Sequence, residues 1–478
     1  MDMVNENRDA VSARVDSRFV VLLPGGNTVE LEPNVPPDCG RLSEKIGDSL
    51  LAGWICSQIE QAERRPAPPS LAAMRKLELA DYEPASDSGN LRMYPRGKLM
   101  FDLLCDWAEE IAVNRFGAMP IHTPLLYNWE DSQIRQQAGS FHENHYVVKR
   151  PDDPASELIL RFAGDFGLFK IMHDAVFSYR MLPLRIYELS QSFRYERRGA
   201  LAGLRRLRAF HLPDIHCFCA DPEQAWEEYC RLYEAYEDLA VGAGVDYAVC
   251  FRMVESFFET HRDRVAALLR RRGRPALVEV LSEMRHYWAI KHEFQSIDSV
   301  GGAVQLSTVQ LDVKEAGVYD IGYTAADGSR APCVICHSSV GSIERWIYAV
   351  LEQALKSSRP ALPLWLAPTQ VRLLPVSHKQ LEYCLEVEMD GVRCDVDDSD
   401  ETIGKKVARA GKEWVPYVAV VGEREMAQGT LAVTDRYSGR RRQMSPDELA
   451  AEMRAACSGM PFRRLTLPRR LSMRARFA

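Results

Sequence analysis

Residues 192–216 constrain the fold of this chain more than any other segment, because they have the pattern of two strands joined by a basic, glycine-containing loop. Side chains two residues apart in a strand share one face of a sheet. Ser192, Arg194 and Glu196 would therefore line one face. The returning strand would add to that surface a second set, namely Arg208, Phe210, Leu212, Asp214 and His216.

This combination of groups suits a bound nucleotide. A guanidinium such as that of Arg194 grips phosphate oxygens bidentately, while the carboxylate of Glu196 accepts hydrogen bonds from an amino group. The alternative interpretation is a hairpin whose arginines are simply solvated, since a cluster of this kind is common on protein surfaces. The loop and its flanks supply such a cluster: Arg197, Arg198, Arg205, Arg206 and Arg208.

Three motifs in order resemble those of class II aminoacyl-tRNA synthetases. Phe-Arg-x-Glu at 193–196 and Arg-x-Arg-x-Phe at 206–210 resemble motif 2, and the continuation through Asp214-x-His216 is most similar to threonyl-tRNA synthetases of the archaeal type. A helical apolar pattern at 99–113, followed by a strand ending at Pro124, resembles motif 1, the dimer interface. Gly341-Ser-Ile-Glu-Arg345 resembles motif 3, where a helix N-terminus favours phosphate.

Composition fits this family. The chain has 478 residues, of which 46% are hydrophobic and 27% charged, and its net charge of -7 leaves room for a basic face that binds tRNA. No signal peptide or membrane-spanning run is visible, so a cytoplasmic location and no membrane partner are expected. The 12 cysteines are scattered, which favours reduced thiols over a disulfide framework.

The predicted fold class is an α+β class II synthetase core, an antiparallel sheet flanked by helices, with a C-terminal α/β anticodon-binding domain. We expect an N-terminal extension of unknown role at 1–70, ending in a proline-rich break at 65–69, a catalytic domain at 71–363, and the anticodon-binding domain at 364–478. In the last domain, alternating strands and helices predict a largely parallel sheet. The extension looks too short for the editing domain that threonyl enzymes often carry, so an enzyme without that domain is expected.

The resemblance implies roles in ATP-dependent activation of an amino acid. Arg194 would hold the α-phosphate, Glu196 the adenine amino group and Phe210 the adenine ring, while Arg206 and Arg345 would bind the outer phosphates. Arg194, Glu196 and Arg345 would be the catalytic set. Gln310 would reach the ribose or the substrate. Mg2+ would bridge phosphate oxygens, with Glu293 as a candidate contributor.

Threonyl enzymes select threonine through a zinc ion held by one cysteine and two histidines. Here the family cysteine falls on Asp165, which is also a candidate for binding the substrate amino group. The two histidine positions fall on His216 and, without a gap, on Cys336, with His337 as the alternative if the strand shifts by one residue. Asp, His and Cys are all competent zinc ligands. Asp214 corresponds to the residue that orients the substrate hydroxyl. Loss of the metal stays open as an alternative.

In the C-terminal domain, Asp400, Glu425 and Arg436 are the residues expected to read the anticodon. The sequence as a whole predicts a homodimeric threonine–tRNA ligase that uses ATP, threonine and tRNA(Thr). One alternative is a specialised paralogue, either an antibiotic-resistant duplicate or an enzyme for a different amino acid. The other is a non-catalytic synthetase-like protein that binds tRNA or a partner. The intact nucleotide-binding set counts against the second alternative.

Overall fold

The computed structural model describes residues 16–32, 35, 37–59, 67–139, 145–153 and 156–477. Part of the expected proline-rich break, residues 65 and 66, lies outside these ranges. The strands, numbered in chain order, are β1 (Ser17–Leu22), β2 (Thr28–Leu31), β3 (Ala80–Tyr82), β4 (Leu91–Met93), β5 (Met119–Pro120), β6 (Leu126–Asn128), β7 (Val147–Lys149), β8 (Glu157–Leu160), β9 (Leu184–Phe193), β10 (Ala209–Cys219), β11 (Ala248–Val254), β12 (Ala276–Leu281), β13 (Trp288–Ile297), β14 (Ala303–Asp312), β15 (Gly322–Thr324), β16 (Arg330–Pro332), β17 (Val334–Ser339), β18 (Val371–Pro375), β19 (Cys394–Val396), β20 (Tyr417–Val421), β21 (Leu431–Asp435) and β22 (Arg441–Met444).

The helices, also in chain order, are α1 (Cys39–Ile46), α2 (Ser49–Ile59), α3 (Ser70–Lys76), α4 (Pro95–Glu109), α5 (Ser132–Ala138), α6 (Asp165–Asp174), α7 (Pro222–Gly242), α8 (Glu255–Arg270), α9 (Glu315–Val318), α10 (Ile343–Leu355), α11 (His378–Glu386), α12 (Ile403–Lys412), α13 (Glu423–Gln428) and α14 (Pro446–Ala456). Across the described ranges, none of these helices is both long and apolar enough to cross a membrane.

A ten-stranded sheet forms the centre of the molecule, in the order β2-β1-β12-β11-β13-β14-β17-β10-β9-β5. Its pairs are antiparallel except β11–β12 and β5–β9, which are parallel, so the sheet is mixed where an antiparallel one was expected. Helix α7 packs across β10, β14 and β17. It buries Tyr229, Tyr233 and Tyr236 on one stripe, as the helical period requires, and Asp221 caps its first turn.

The described part of the N-terminal extension belongs to this sheet. Strand β1 pairs antiparallel with β12, and β2 pairs with β1 at the sheet edge. Helices α1 and α2 pack against each other and are joined by a disulfide between Cys39 and Cys56. The other ten cysteines are free thiols, so the expectation of reduced cysteines is correct for them and wrong for this pair.

The motif 1 region differs in detail from its predicted bounds. Helix α4 begins at Pro95 and ends at Glu109, and a π-helical turn continues it through Arg115. The following strand is short, since only Met119 and Pro120 pair, in parallel, with β9. The helix starts earlier than the apolar pattern predicts because proline at its first turn is pre-organised for helical geometry.

The C-terminal domain has its own five-stranded sheet in the order β19-β18-β20-β21-β22. Strands β19, β18 and β20 are parallel, but β20–β21 and β21–β22 are antiparallel pairs. The prediction of a largely parallel sheet is therefore wrong for its second half. A short helix, α13, separates β20 from β21, and it reverses the chain through Gly429, whose positive φ of 65° suits glycine.

Candidate active site

The large sheet carries a row of polar side chains across five strands, formed by register alone. His216 on β10 lies opposite His337 on β17, and His337 lies opposite Gln310 on β14. Gln310 faces Lys291 on β13, which in turn faces Arg252 on β11. Directly paired residues share one face. The row therefore forms the floor of a pocket of about 320 Å³ on that face.

The hairpin and α10 supply the cationic end of this pocket. Arg194, Arg206, Phe210 and Arg345 all line it, as predicted. The Arg194 guanidinium lies 5.3 Å from the centre of the Phe210 ring and donates to the Phe162 carbonyl over 3.1 Å. The cations and the aromatic platform expected for a nucleotide are thus brought together.

Helix α10 places Arg345 at this end through a local cap. The Ser342 hydroxyl accepts a hydrogen bond from the backbone N–H of Arg345, so the helix begins at the pocket wall. Gly341, just before the cap, has φ of 92° and lies so close to β14 that a Cβ there would be 2.6 Å from the Leu306 carbonyl oxygen. The backbone of motif 3 therefore requires glycine at this position.

Three residues of the hairpin differ from their predicted placement. Strand β9 ends at Phe193, so Arg194 and Glu196 lie in the loop, although both still line the pocket. Glu196 is paired with Arg206 at 3.0 Å. Arg208 does not share the pocket surface: it is 2% exposed, donates to the Glu196 carbonyl and pairs with Asp87 at 2.6 Å. Arg208 therefore stabilises the loop through these contacts and does not line the pocket.

Asp165, His216 and His337 form a cluster that could hold a metal ion. One donor atom from each lies within 4.8 Å of the others, and His216 Nε2 is 3.3 Å from Asp165 Oδ1. Asp165 is the first residue of α6, which brings its carboxylate over the sheet. Burial alone would raise the pKa of Asp165, but the hydrogen bond to His216 and nearby cations lower it to about 2.

The predicted preference for Cys336 over His337 is corrected by the structure. Because His216 is paired directly with His337, these two side chains share a face, and Cys336, paired with Cys217, faces the other side of the sheet. Cys336 is fully buried there, among apolar groups that raise the pKa of its thiol well above the usual range. The one-residue shift considered from the sequence is what the strand adopts.

A carboxylate orients His337 within the cluster. The Nε2 atom of His337 hydrogen bonds to Asp312 Oδ2 over 2.7 Å, which leaves Nδ1 as the nitrogen free to bind a metal. Such carboxylate–histidine pairs are the usual outer support of metal-bound histidines. The donor set therefore fits a divalent ion with an open coordination position.

Asp214 lies beside this cluster on the pocket floor. One of its carboxylate oxygens accepts from the Ser190 hydroxyl over 3.3 Å, and the other is buried without a hydrogen-bond partner. Burial, together with the charge of Asp165, raises the pKa of Asp214 to about 7. An unpartnered buried oxygen in a pocket can accept a hydrogen bond from a molecule bound there.

Sequence reasoning missed several pocket residues, among them Arg252, His286, Tyr287 and Lys291. The Tyr287 ring lies 5.5 Å from that of His337, and Lys291 pairs with Glu293 over 2.8 Å. Burial alone would raise the pKa of Glu293. The charges of Arg252 and Lys291 have the larger effect and lower that pKa to about 2. Alternating charges along the strand were the only available signal, and they do not reveal which partner strand completes the pocket.

The candidate anticodon residues separate into two groups. Asp400 follows β19 and Glu425 lies in α13 after β20, so both occupy the carboxyl edge of the parallel strands. Glu425 accepts from the Gly422 backbone N–H over 3.0 Å. Arg436 does not lie with them, contrary to the prediction. It follows β21, which runs antiparallel to β20, and therefore lies at the opposite edge of the sheet. There it donates a hydrogen bond to the Pro360 carbonyl over 2.7 Å.

Comparison with known proteins agrees with this geometry. Residues 146–354 match the tRNA synthetase class II core domain of the G, H, P, S and T enzymes, and residues 370–456 match an anticodon-binding domain. The threonine–tRNA ligase of Methanothrix thermoacetophila is 44% identical over 445 residues, covering 90% of this chain and 71% of the relative. That of Methanosarcina acetivorans is 42% identical, covering 96% and 73%.

Solved structures show the same fold. The RNA binding domain of threonyl-tRNA synthetase from Cryptosporidium parvum superposes with a TM-score of 0.71 at 22% identity, covering 82% of this chain and 98% of that one. The predicted fold class, a class II core followed by an anticodon-binding domain, is confirmed, with a mixed central sheet. The chain belongs to the threonine–tRNA ligase family of class II aminoacyl-tRNA synthetases.

Proposed function

We propose that this protein activates threonine with ATP and transfers it to tRNA(Thr). The observation that carries the proposal is one pocket that holds both the arginines of motifs 2 and 3 and the cluster of Asp165, His216 and His337. The arginines suit a nucleoside triphosphate, and the cluster suits an amino acid with a hydroxyl side chain. Family membership supports both halves.

In the first step, the threonine carboxylate attacks the α-phosphorus of ATP, and the bond to the β-phosphate breaks to release pyrophosphate. The nucleophile is weak, so catalysis depends on position and on neutralised charge. Arg194 would hold the α-phosphate in line, while Arg206 and Arg345 would bind the outer phosphates. Phe210 would stack on the adenine, and Mg2+ would accompany ATP.

Glu196 would have to leave Arg206 to serve the adenine amino group. Their 3.0 Å ion pair links the two predicted nucleotide contacts before ATP binds. ATP offers each partner a better-matched group, phosphate for the guanidinium and an amino donor for the carboxylate. The ion pair would therefore position both side chains near their proposed ligands.

Selection of threonine would rest on the metal cluster and Asp214. A pocket rejects an isostere such as valine poorly unless it reads the hydroxyl group. Asp165, His216 and His337 would hold zinc, which would offer open positions to the amino and hydroxyl groups of threonine. The unpartnered oxygen of Asp214 would accept the hydrogen bond from that hydroxyl. Gln310, next to His337 on the floor, would contact ribose or substrate.

We further propose a homodimer formed through the motif 1 region and anticodon contacts from the C-terminal domain. Large apolar side chains are exposed around motif 1, namely Met119, Leu125 and Leu126. An exposed apolar group of this kind is typical of an interface. Asp400 and Glu425, at one edge of the C-terminal sheet, would accept hydrogen bonds from anticodon bases. The proposed domain bounds are 1–70, 71–363 and 364–478.

The test is exchange of radioactive pyrophosphate into ATP, measured for each amino acid in turn, followed by aminoacylation of tRNA(Thr). We expect exchange with threonine, little with valine, and threonyl-tRNA as product. Arg345→Ala should lower kcat/KM for exchange by about a hundredfold, as removal of one transition-state donor does. Exchange driven by another amino acid would contradict the threonine assignment, and absence of any exchange would contradict the enzyme itself.

A further inference from the structure

A second large cleft lies between the catalytic and C-terminal domains, away from the active site. Its volume is about 590 Å³. The catalytic domain contributes the end of α3 and the start of α4, and the C-terminal domain contributes the end of α12 and the C-terminal tail at 467–477. The tail is docked, because Phe477 stacks on Tyr94 with ring centres 5.5 Å apart. The cleft is therefore a built feature of the domain junction.

The cleft is strongly basic. Its only carboxylates are Glu78 and Glu413, among the residues that the structure describes as lining it. Against them stand seven cationic side chains: Arg75, Lys76, Arg96, Arg409, Lys412, Arg474 and Arg476. The chain as a whole carries a net charge of -7, so this concentration of positive charge is local.

Part of this charge is already neutralised within the protein. Arg75 pairs with Asp81, Arg96 with Glu413, and Arg409 with Asp397, each at 2.8 Å or less. Lys76, Lys412 and Arg476 are exposed, and none has an ion-pair partner within the described ranges of the chain. These three cations, one from α3, one from α12 and one from the C-terminal tail, are therefore free to bind an external anion.

Arg474 lies deeper in the cleft and is incompletely satisfied. Its side chain is only 7% exposed, and its Nη1 atom lies 2.8 Å from Asp395 Oδ2. Asp395 is shared with Arg372, which binds both of its oxygens, and Nη2 of Arg474 is buried with no hydrogen-bond partner. A buried guanidinium with an unused donor requires an acceptor.

We propose that this interdomain cleft binds the phosphate backbone of tRNA. Lys76, Lys412 and Arg476 would contact successive phosphates, and Arg474 would donate to the phosphate that enters furthest. A tRNA that reaches both the active site and the anticodon-binding domain spans the two domains, and the cleft is lined by residues of both. The inference rests on the proposed function, since it takes tRNA as the substrate.

The test is the salt dependence of tRNA(Thr) binding by the full-length protein and by the triple variant Lys76→Ala/Lys412→Ala/Arg476→Ala. Each phosphate contact contributes about 0.7–0.9 to the slope of log Kobs against log salt concentration. We expect the variant to lose about 2–3 from that slope and to bind at least about tenfold more weakly at low salt. The matched control, Arg41→Ala/Lys45→Ala/Lys356→Ala, removes the same charges from exposed positions elsewhere and should keep the parental slope.

Two results would overturn the proposal. One is an unchanged slope in the triple variant. The other is binding of inorganic triphosphate by the parent and not by the variant, with tRNA binding equal in both, which would make the cleft a site for small polyphosphates. Threonine-dependent pyrophosphate exchange needs no tRNA and should be equal in parent and variant. If the parent protein shows no such exchange, the proposed function is rejected. The salt dependence of tRNA binding still tests the cleft in that case.

Discussion

At the scale of single residues, the substitution of an aspartate for the family cysteine defines the candidate metal site. Asp165, with two histidines, forms a harder ligand set than a thiolate with two histidines. Such a set binds zinc but discriminates less against manganese, iron and cobalt. Asp165 and His216 were both predicted by comparison along the sequence, whereas the choice of His337 over Cys336 follows from strand register.

Changing Asp165 should alter metal binding in both directions. Asp165→Ala should lower zinc affinity by more than about a hundredfold, because loss of even an outer-sphere partner costs about 10–100-fold. Asp165→Cys should raise the preference for zinc over manganese, because thiolate is softer than carboxylate. Chelator competition with metal analysis measures both. Cys336→Ser is the control, since Cys336 faces away, and a loss of metal in that variant would contradict the assignment of His337.

Asp312 should act on the same site through His337. It accepts the hydrogen bond from Nε2, which orients the ring and leaves Nδ1 as the nitrogen available to a metal. Asp312→Asn should weaken metal binding by about 10–100-fold while the fold is kept. The measurement is metal affinity by competition, alongside circular dichroism. Unchanged affinity would mean that His337 binds the metal without this support, or does not bind it.

At the scale of elements, strand register decides which side chains lie next to each other in the site. The hairpin of β9 and β10 was predicted from alternation and is present with shorter strands than expected, and β17, β14 and β13 complete the pocket through pairings that are distant in sequence. Residues such as Lys291 and Arg252 therefore enter the pocket without any motif of their own. Local patterns determine strands, while neighbours are chosen by packing of the whole sheet.

The tight junction before α10 should be intolerant of any side chain. Gly341→Ala would force a Cβ within 2.6 Å of the Leu306 carbonyl oxygen and strain a residue with φ of 92°. We expect a loss of about 2–3 kcal/mol in the free energy of unfolding, with reduced pyrophosphate exchange because Arg345 moves. Gly53→Ala, in helix α2 with nothing within 4 Å, is the control and should not destabilise. Equal effects of the two substitutions would contradict this account.

At the scale of the whole molecule, a chain of ion pairs joins the two domains. Arg96 of α4 binds Glu413, which also binds Arg372 of β18. Arg372 is fully buried and pairs with Asp395 as well. Burial alone would raise the pKa of Glu413, but Arg372 and Arg96 lower it below its usual range. Glu413 therefore stabilises the junction as long as it is ionised.

The ion pairs of Glu413 with Arg96 and Arg372 predict that the stability of the protein depends on pH. A carboxylate with a lowered folded pKa contributes stability above its unfolded pKa of about 4.3 and loses it as pH falls through the lowered value. Glu413→Gln should destabilise the protein by about 2 kcal/mol at pH 7, and the difference from the parent should shrink below about pH 4. Thermal unfolding across this range measures it. Glu386→Gln, at an exposed position of the same domain, should show no such difference, and an effect of Glu413→Gln that is independent of pH would contradict the proposed charge pairing.

The sequence by itself determined the class of reaction, because the arginine-containing motifs, their glycines and their order along the chain are local and readable. Asp165, His216, Asp214 and Arg345, which were named from the sequence, all line one pocket. The sequence favoured Cys336 over His337, misplaced Arg208 and Arg436, and did not reveal the basic cleft between the domains. Only the tertiary structure decided these, because each depends on which strand or domain lies opposite, and such contacts are set by long-range packing and register.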